Sequence, residues 1–303
     1  IPPTTAKYFR ITFGKAKKGW LRIKRTDAIT VKKIAIEAAP AIDQYRTKAN
    51  FVGTSGSFPS AASTAFPPEM VVPKNRILNL SSKVDSSGKL TWDVPEGDWT
   101  ILRMGYTTTE SKNRPTPPEA TGLECDKLSR TAMEVYWDGL MAKIIKESGP
   151  LAGKAFNHTL IDSFEAGSQN WTPAFPEEFR KLTGYDILTY LPTLTGRIVG
   201  NLEESERFLW DYRRTIAELF AANYYGGMAE LAHKSGLTLQ VEPAGSPFDY
   251  ILSGRYVDMP MTEFWVPNVA SPELRSIASI SHVYGHVRTC LLYTSDAADE
   301  EDS

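Results

Sequence analysis

The sequence predicts an α/β protein: a partial (β/α)8 TIM-like barrel preceded by β-sandwich accessory segments. Three observations carry that prediction. Roughly the first hundred residues alternate apolar and polar positions in short runs separated by Pro, Gly and Ser. Beyond residue 122, helical periodicities take turns with short apolar runs. Three of those runs also finish at a glutamate.

Taken in order, residues 1–52 hold "YFRITF", "WLRIKR" and "ITVKKIAIEA", strands of a β-sandwich segment. Residues 53–68, "GTSGSFPSAASTAFPP", have no periodicity and form a low-complexity connection. Residues 69–110 are expected to be β-rich, with "KLTWDVPEGDWTILRMGYTTT" as two strands about a Pro95–Asp98 turn. The polar, proline-rich stretch 111–122 is expected to be a linker, and 123–289 the partial (β/α) barrel.

Within that region "DKLSRTAMEVYWDGLMAKIIKESG" has helical spacing up to a glycine stop at Gly149, and "HTLIDSFE" reads as a buried strand. Asn201, three residues before Glu204, opens a long helix with a capping-box-like start. Its apolar positions 208, 209, 212, 216, 219 and 220 share one face, and Trp210 is expected in the core. Gly226–Gly227 predict a break or kink, and Gly236 a stop. "LTLQVEP" and "DMPMTEFW" are further strands. Residues 290–303, "CLLYTSDAADEEDS", change composition abruptly and are expected to be a non-native tail resembling translated sequencing-adapter read-through.

Composition narrows the function classes. A chain of 303 residues supports one barrel-sized domain or two smaller ones, and a formal net charge of −2 gives no support for nucleic acid or an anionic membrane as partner. No apolar run approaches the roughly 18 residues of a membrane span. Cys125 and Cys290 are too few for a disulfide framework. No targeting leader is visible at the start, and location is left unknown. There is no phosphate loop, dinucleotide fingerprint or Gly-x-Ser-x-Gly elbow.

The chemistry sits at strand ends. Glu165, Glu242 and Glu263 follow predicted strands, and in a βα barrel the C-terminal strand ends converge on one pocket. Glycoside cleavage needs two carboxyl groups, one to protonate the departing oxygen and one to activate water or attack carbon. A single glutamate after a strand is as readily an ordinary loop residue; three together are less so. Asp162 and Asp258 add oxygens expected near the same mouth, where calcium is one possible guest. Gln169, Asn170 and Trp171 are expected to orient a sugar. Trp171 and Trp265 are candidate stacking platforms. His282 and His286, four residues apart, are expected on one helix face as substrate or metal contacts.

The chain resembles glycoside hydrolase family 106, the α-L-rhamnosidases. The resemblance is carried by "IDSFEAGSQNWTPAFPEEFRKLTGYD", "YLPTLTGRIVG", "ERFLWDYRRTIAELFAANYYG", "MPMTEFW" and "SHVYGH", from about Leu123 to Thr289. It implies a catalytic barrel with β-sandwich domains and an inverting two-glutamate mechanism. The implied substrate is a rhamnose-containing oligo- or polysaccharide, and the implied location is secreted or periplasmic in a bacterium. Calcium is the implied cofactor. Glu165 then matches the general acid. Glu242 and Glu263 look like pocket carboxylates that bind calcium or substrate, with Glu263 the metal candidate and Glu242 a substrate contact. Asp162, Gln169, Asn170, Trp171, Trp265 and His282 are the substrate-binding candidates read from the residues themselves. The base is expected on a strand after "HVYG", where this chain reads "HVRTCLLYTS", so the chain as written is expected to be inactive and aggregation-prone. A retaining glycosidase of other specificity and a carbohydrate-binding pseudoenzyme are the alternatives.

Overall fold

A computed structural model describes residues 41–51, 66–113, 116–243, 249–264 and 272–293. The strands expected within 1–40, Trp265 and the acidic end of the tail lie outside the described residues. What is described is a mixed α/β fold built on parallel pairing.

The chain enters with a single helical turn, α1 (Tyr45–Lys48), held by the Ile42 amide on the Gly196 carbonyl at 2.9 Å. The two-residue strand β1 (Val71–Val72) follows. Residues 89–109, expected as two strands, form no ladder among the described residues; one bridge, Val84 to Leu90, is antiparallel. An extended run becomes a strand only when another backbone takes up its hydrogen bonds, and among the described residues only 83–85 do so, for 89–91. The turn itself is present, with the Trp99 indole donating to the Pro95 carbonyl at 2.9 Å and Trp92 meeting Trp99 edge-on at 5.3 Å.

Helix α2 (Arg130–Gly139) begins at Ser129, whose hydroxyl accepts from the Ala132 amide. It buries Met133 and Trp137, and α3 (Met141–Ser148) continues after an interruption at Leu140. Next comes β2 (His158–Ile161), then α4 (Phe175–Thr183), which has a proline in its first turn and a left-handed Gly184 at its end. A 3-10 stretch, Ile187–Thr195, leads to β3 (Ile198–Val199), the parallel partner of β1.

Helix α5 (Leu202–Leu219) starts at Asn201, whose side-chain oxygen accepts from the Glu204 amide at 2.8 Å while its amide group donates to the Glu204 carboxylate. Phe208, Leu209, Tyr212, Ile216, Leu219 and Phe220 are buried, the face that periodicity indicates. Trp210 is not in the core. It is 53% exposed with the Arg214 guanidinium 5.5 Å from its ring centre, because position 210 lies about 200° around the helix from 208.

The break expected at Gly226–Gly227 is a π-helical turn just before it, Phe220–Tyr225, after which α6 (Gly226–Lys234) continues. The two glycines admit close neighbours: a Cβ would stand 3.0 Å from the Tyr256 ring at Gly226 and 3.2 Å from the Arg130 side chain at Gly227. Gly236, left-handed at φ 73°, ends the helical run. Strand β4 (Thr238–Val241), helix α7 (Tyr250–Gly254), strand β5 (Met259–Phe264), helix α8 (Pro272–Tyr284) and strand β6 (Cys290–Tyr293) complete the chain.

The main sheet is parallel throughout in the order β2-β4-β5-β6, with helices in each crossover. Ile161, Leu239 and Val241 project from one face into the core shared with α5 and α6. Strand β2, expected to be buried, is an edge among the described residues, with Leu160 55% exposed while Ile161 packs into the core. Cys290–Tyr293, assigned above to the tail, pairs along β5, as a short apolar run beside an open strand edge readily does. Closure into eight strands and the accessory sandwich go beyond the described residues.

Helices α7 and α8 meet tightly at Gly254, where an added Cβ would lie 2.4 Å from a methyl of fully buried Ile280. Gly254→Ala is expected to lower stability by about 1–3 kcal/mol in urea unfolding, because overpacking forces one helix to shift. An unchanged midpoint and slope would show that the contact relaxes freely.

Candidate active site

Parallel register brings three carboxylates together. His158, Thr159, Leu160 and Ile161 stand opposite Thr238, Leu239, Gln240 and Val241, and Gln240 stands opposite Met259. Paired residues in a ladder share a face and successive residues alternate. Continuing that alternation past the strands puts Asp162 and Glu242 level with each other on one face, with Glu263 on the same face of β5. The ladder does continue: the Glu242 amide donates to the Ile161 carbonyl at 2.9 Å. The Glu263 amide then donates to the Glu242 carboxylate at 3.2 Å.

This crowding controls protonation. Glu242 is 4% exposed, and burial, reinforced by the charges of Glu263 and Asp162, pushes its carboxyl up to about 7. Asp162 also hydrogen-bonds the protonated form, which favours keeping the proton further. Glu242 therefore holds its proton well above the pH at which an ordinary carboxyl group loses it. Tyr225, from the π-helical turn, lies near enough for the Glu242 charge to act on it; burial holds its phenol well above the ordinary value. Periodicity alone did not single out Tyr225, and the tandem tyrosines before Gly226–Gly227 are the trace it leaves in the sequence.

Glu165 stands apart, exposed at the lip of the strand ends, with Ser163 Oγ donating to it at 3.3 Å. The loop beneath it is well anchored. Gln169 donates through its side chain to Asp126, and its side-chain oxygen accepts from the Lys127 amide at 3.2 Å. Asn170 donates to the Ala49 carbonyl at 3.3 Å, and its own carbonyl accepts from the Tyr212 hydroxyl. Trp171 stacks on buried Phe175 at 5.1 Å and tilts against Tyr106 at 6.3 Å. These three residues, expected to orient a sugar, are engaged in holding the loop to the body of the protein.

Other expected site residues lie elsewhere. Asp258 precedes β5 instead of following it; it accepts from the Leu239 amide at 2.7 Å and pairs with His233 at 2.8 Å, at the opposite end of the sheet. His282 is exposed in the last turn of α8, which runs from the end of β5 to the start of β6, so the crossover carries it away from the carboxylates. His286 lies past the helix, beyond a left-handed Gly285, and contacts the Gly254 carbonyl at 2.9 Å; the two histidines do not share a helix face. Trp265 lies outside the described residues.

The donor set was also compared with calcium, which takes six to eight oxygens. Among the described residues no group of three or more His, Cys, Asp or Glu side chains is disposed to hold a metal ion. Calcium at Glu263 stays what the family resemblance implies, with Asp162 and Glu242 the carboxyl groups beside it, and no step below uses it.

With this geometry in hand, comparison with known proteins is informative. The family model for glycoside hydrolase family 106, described as alpha-L-rhamnosidase, matches residues 13–291. A curated protein of Formosa agariphila, named "Putative beta-glucuronidase", is 46% identical over 222 residues, which is 72% of this chain and 19% of that protein. A solved rhamnosidase from Novosphingobium sp. PP1Y matches with a TM-score of 0.71 and 31% sequence identity, covering 84% of this chain and 26% of that one. The chain thus spans under a third of the length of either protein.

The raised carboxyl has a measurable consequence. A group whose folded pKa, about 7, lies above its unfolded value of 4.5 contributes stability that is fully present below about 4.5 and lost as pH rises through about 7. Glu242→Gln, which mimics the protonated acid, is expected to remove that pH dependence, worth up to about 3 kcal/mol. Urea unfolding at pH 5 and pH 8 checks it; the same pH slope in both proteins would assign the titration to another group.

Proposed function

The chain belongs to glycoside hydrolase family 106, and on that premise we propose that the protein hydrolyses terminal α-L-rhamnosyl linkages in a glycan. The observation that carries the reading is the group of carboxyl side chains, Asp162, Glu242 and Glu263, at the ends of adjacent parallel strands, with Glu165 exposed on the loop that follows β2. Glycoside hydrolysis needs carboxyl groups gathered in this way.

Glu165 is the proton donor to the departing oxygen. The leaving group carries the rest of the glycan and must face solvent, which favours an exposed residue at the lip over Glu242 beneath it. Glu242 donates a hydrogen bond to a sugar hydroxyl, while Asp162 and Glu263 accept from its neighbours. A second carboxylate activates water on the far face of the ring, and inversion of configuration rests on the family resemblance.

The nature of the sugar follows from charge. The charged neighbours acting on Glu242 are both carboxylates, so the local potential opposes a uronate and tolerates a neutral 6-deoxy sugar. That favours a rhamnoside over the glucuronide named for the Formosa relative.

A longer form of the protein that supplies the base is expected to hydrolyse an aryl α-L-rhamnoside at least about 100-fold more efficiently than the matching β-D-glucuronide and to release the β anomer first by proton NMR, whereas the chain as written is expected to show no turnover. Glu165→Gln should lower kcat about 10²- to 10⁴-fold for a poor leaving group, and much less for dinitrophenolate, which needs no proton. Preference for the glucuronide, or equal losses with both leaving groups, would refute the assignment.

A further inference from the structure

We infer that Asp126 is a positioning residue for the loop between β2 and α4, residues 162–174, and through that loop for Glu165; the inference rests on the reading of Glu165 as proton donor. The loop contains no helix, so little regular backbone hydrogen bonding holds it. Glu165 is exposed, and among the described residues its side chain hydrogen-bonds a neighbour in the same loop, Ser163. Its position is therefore set by where the loop backbone is fastened.

Beside Glu165, buried Phe164 packs edge-on against Phe220 at 5.1 Å. The Asn170 and Trp171 contacts hold the far half of the loop. Hydrogen bonds fasten it at two more places. Immediately after Glu165, the Ala166 carbonyl accepts from the Ser111 hydroxyl at 2.7 Å. Farther along, Asp126 collects the loop. One of its oxygens accepts from the Leu128 amide at 3.0 Å and from the Gln169 side chain, and the other accepts from the hydroxyl of buried Thr172 at 2.7 Å. Gln169 returns the contact by accepting from the Lys127 amide at 3.2 Å, and its carbonyl accepts from Asn50 at 3.2 Å.

A carboxylate suits this place because it accepts on both oxygens and donates on neither. An amide at 126 would turn one acceptor into a donor facing donors. Asp126 thus joins the segment entering α2 to the loop that carries the acid. General acid catalysis requires the acid within hydrogen-bond reach of the departing oxygen, and a misplacement of 1 Å costs about 10²-fold in rate.

The test compares wild type, D126A and D126N, made in a longer form of the protein that supplies the base and each followed by thermal unfolding, on methyl and 2,4-dinitrophenyl α-L-rhamnosides. D126A is expected to lower kcat on the methyl glycoside by about 30- to 100-fold with KM changed less than about threefold, and to leave the dinitrophenyl glycoside within about fivefold. D126N, which keeps one acceptor, should fall between and carries the same readings if D126A does not fold. Hydrogen exchange should also accelerate at amides 165–171 in the variants and not in β4. Equal losses on both substrates, a change in KM alone, or unchanged loop exchange would overturn the inference. If the wild type cleaves neither rhamnoside, the proposed function fails, and loop exchange alone still decides whether Asp126 anchors the loop.

Discussion

The arrangement of this protein's strand ends depends on one hydrogen bond and the register it closes. The Glu242 amide on the Ile161 carbonyl extends the β2–β4 ladder one step beyond the regular strands. That step is enough to put Asp162 beside Glu242 rather than across the sheet from it. A shift of one residue would turn Glu242 toward the hydrophobic face occupied by Leu239 and Val241, where a carboxyl has no partner. The apolar alternation in β4 therefore fixes the cluster's geometry as well as the packing of the helices.

Bringing like charges together is unfavourable, and the molecule relieves it by retaining a proton and by aiming a backbone amide. Glu242 keeps the proton, and the Glu263 amide points at its oxygen. Around this cluster the loop is tied to the core by aromatic packing. Trp171 stacks on Phe175, which contacts Phe179 and Tyr212, which in turn reach Phe208 on α5. The site is thus set between a hydrogen-bonded sheet and an aromatic core, and little of it rests on free loop.

Much of this was legible in the sequence, and the remainder has identifiable causes. The buried face of α5 and its Asn201 cap followed from spacing, because both are set within a turn or two of helix. Glu242 and Glu263 were found because strand ends can be read from where an apolar run stops. Asp258 was misplaced because an aspartate beside a short run does not reveal which end it occupies; only its contact with the Leu239 amide does. Gln169 and Asn170 looked like free sugar-binding amides, yet their partners come from residues 126, 127 and 49, far away in sequence. Strands expected within 89–109 were inferred from alternation, which marks a capacity to pair and not the presence of a partner.

The π-helical turn has an implication for how this chain tolerates change in length. Helices α5 and α6 form one rod whose two halves are out of phase, and the turn at Phe220–Tyr225 supplies the offset. Side-chain substitutions there alter local packing, but a one-residue deletion would act as a rotation. It would swing Met228, Ala229 and Ala232 out of the core while Phe208 and Tyr212 stayed in place. Over evolutionary time such a rod should accept new side chains freely and resist any change in count, so that its length is the more conserved property.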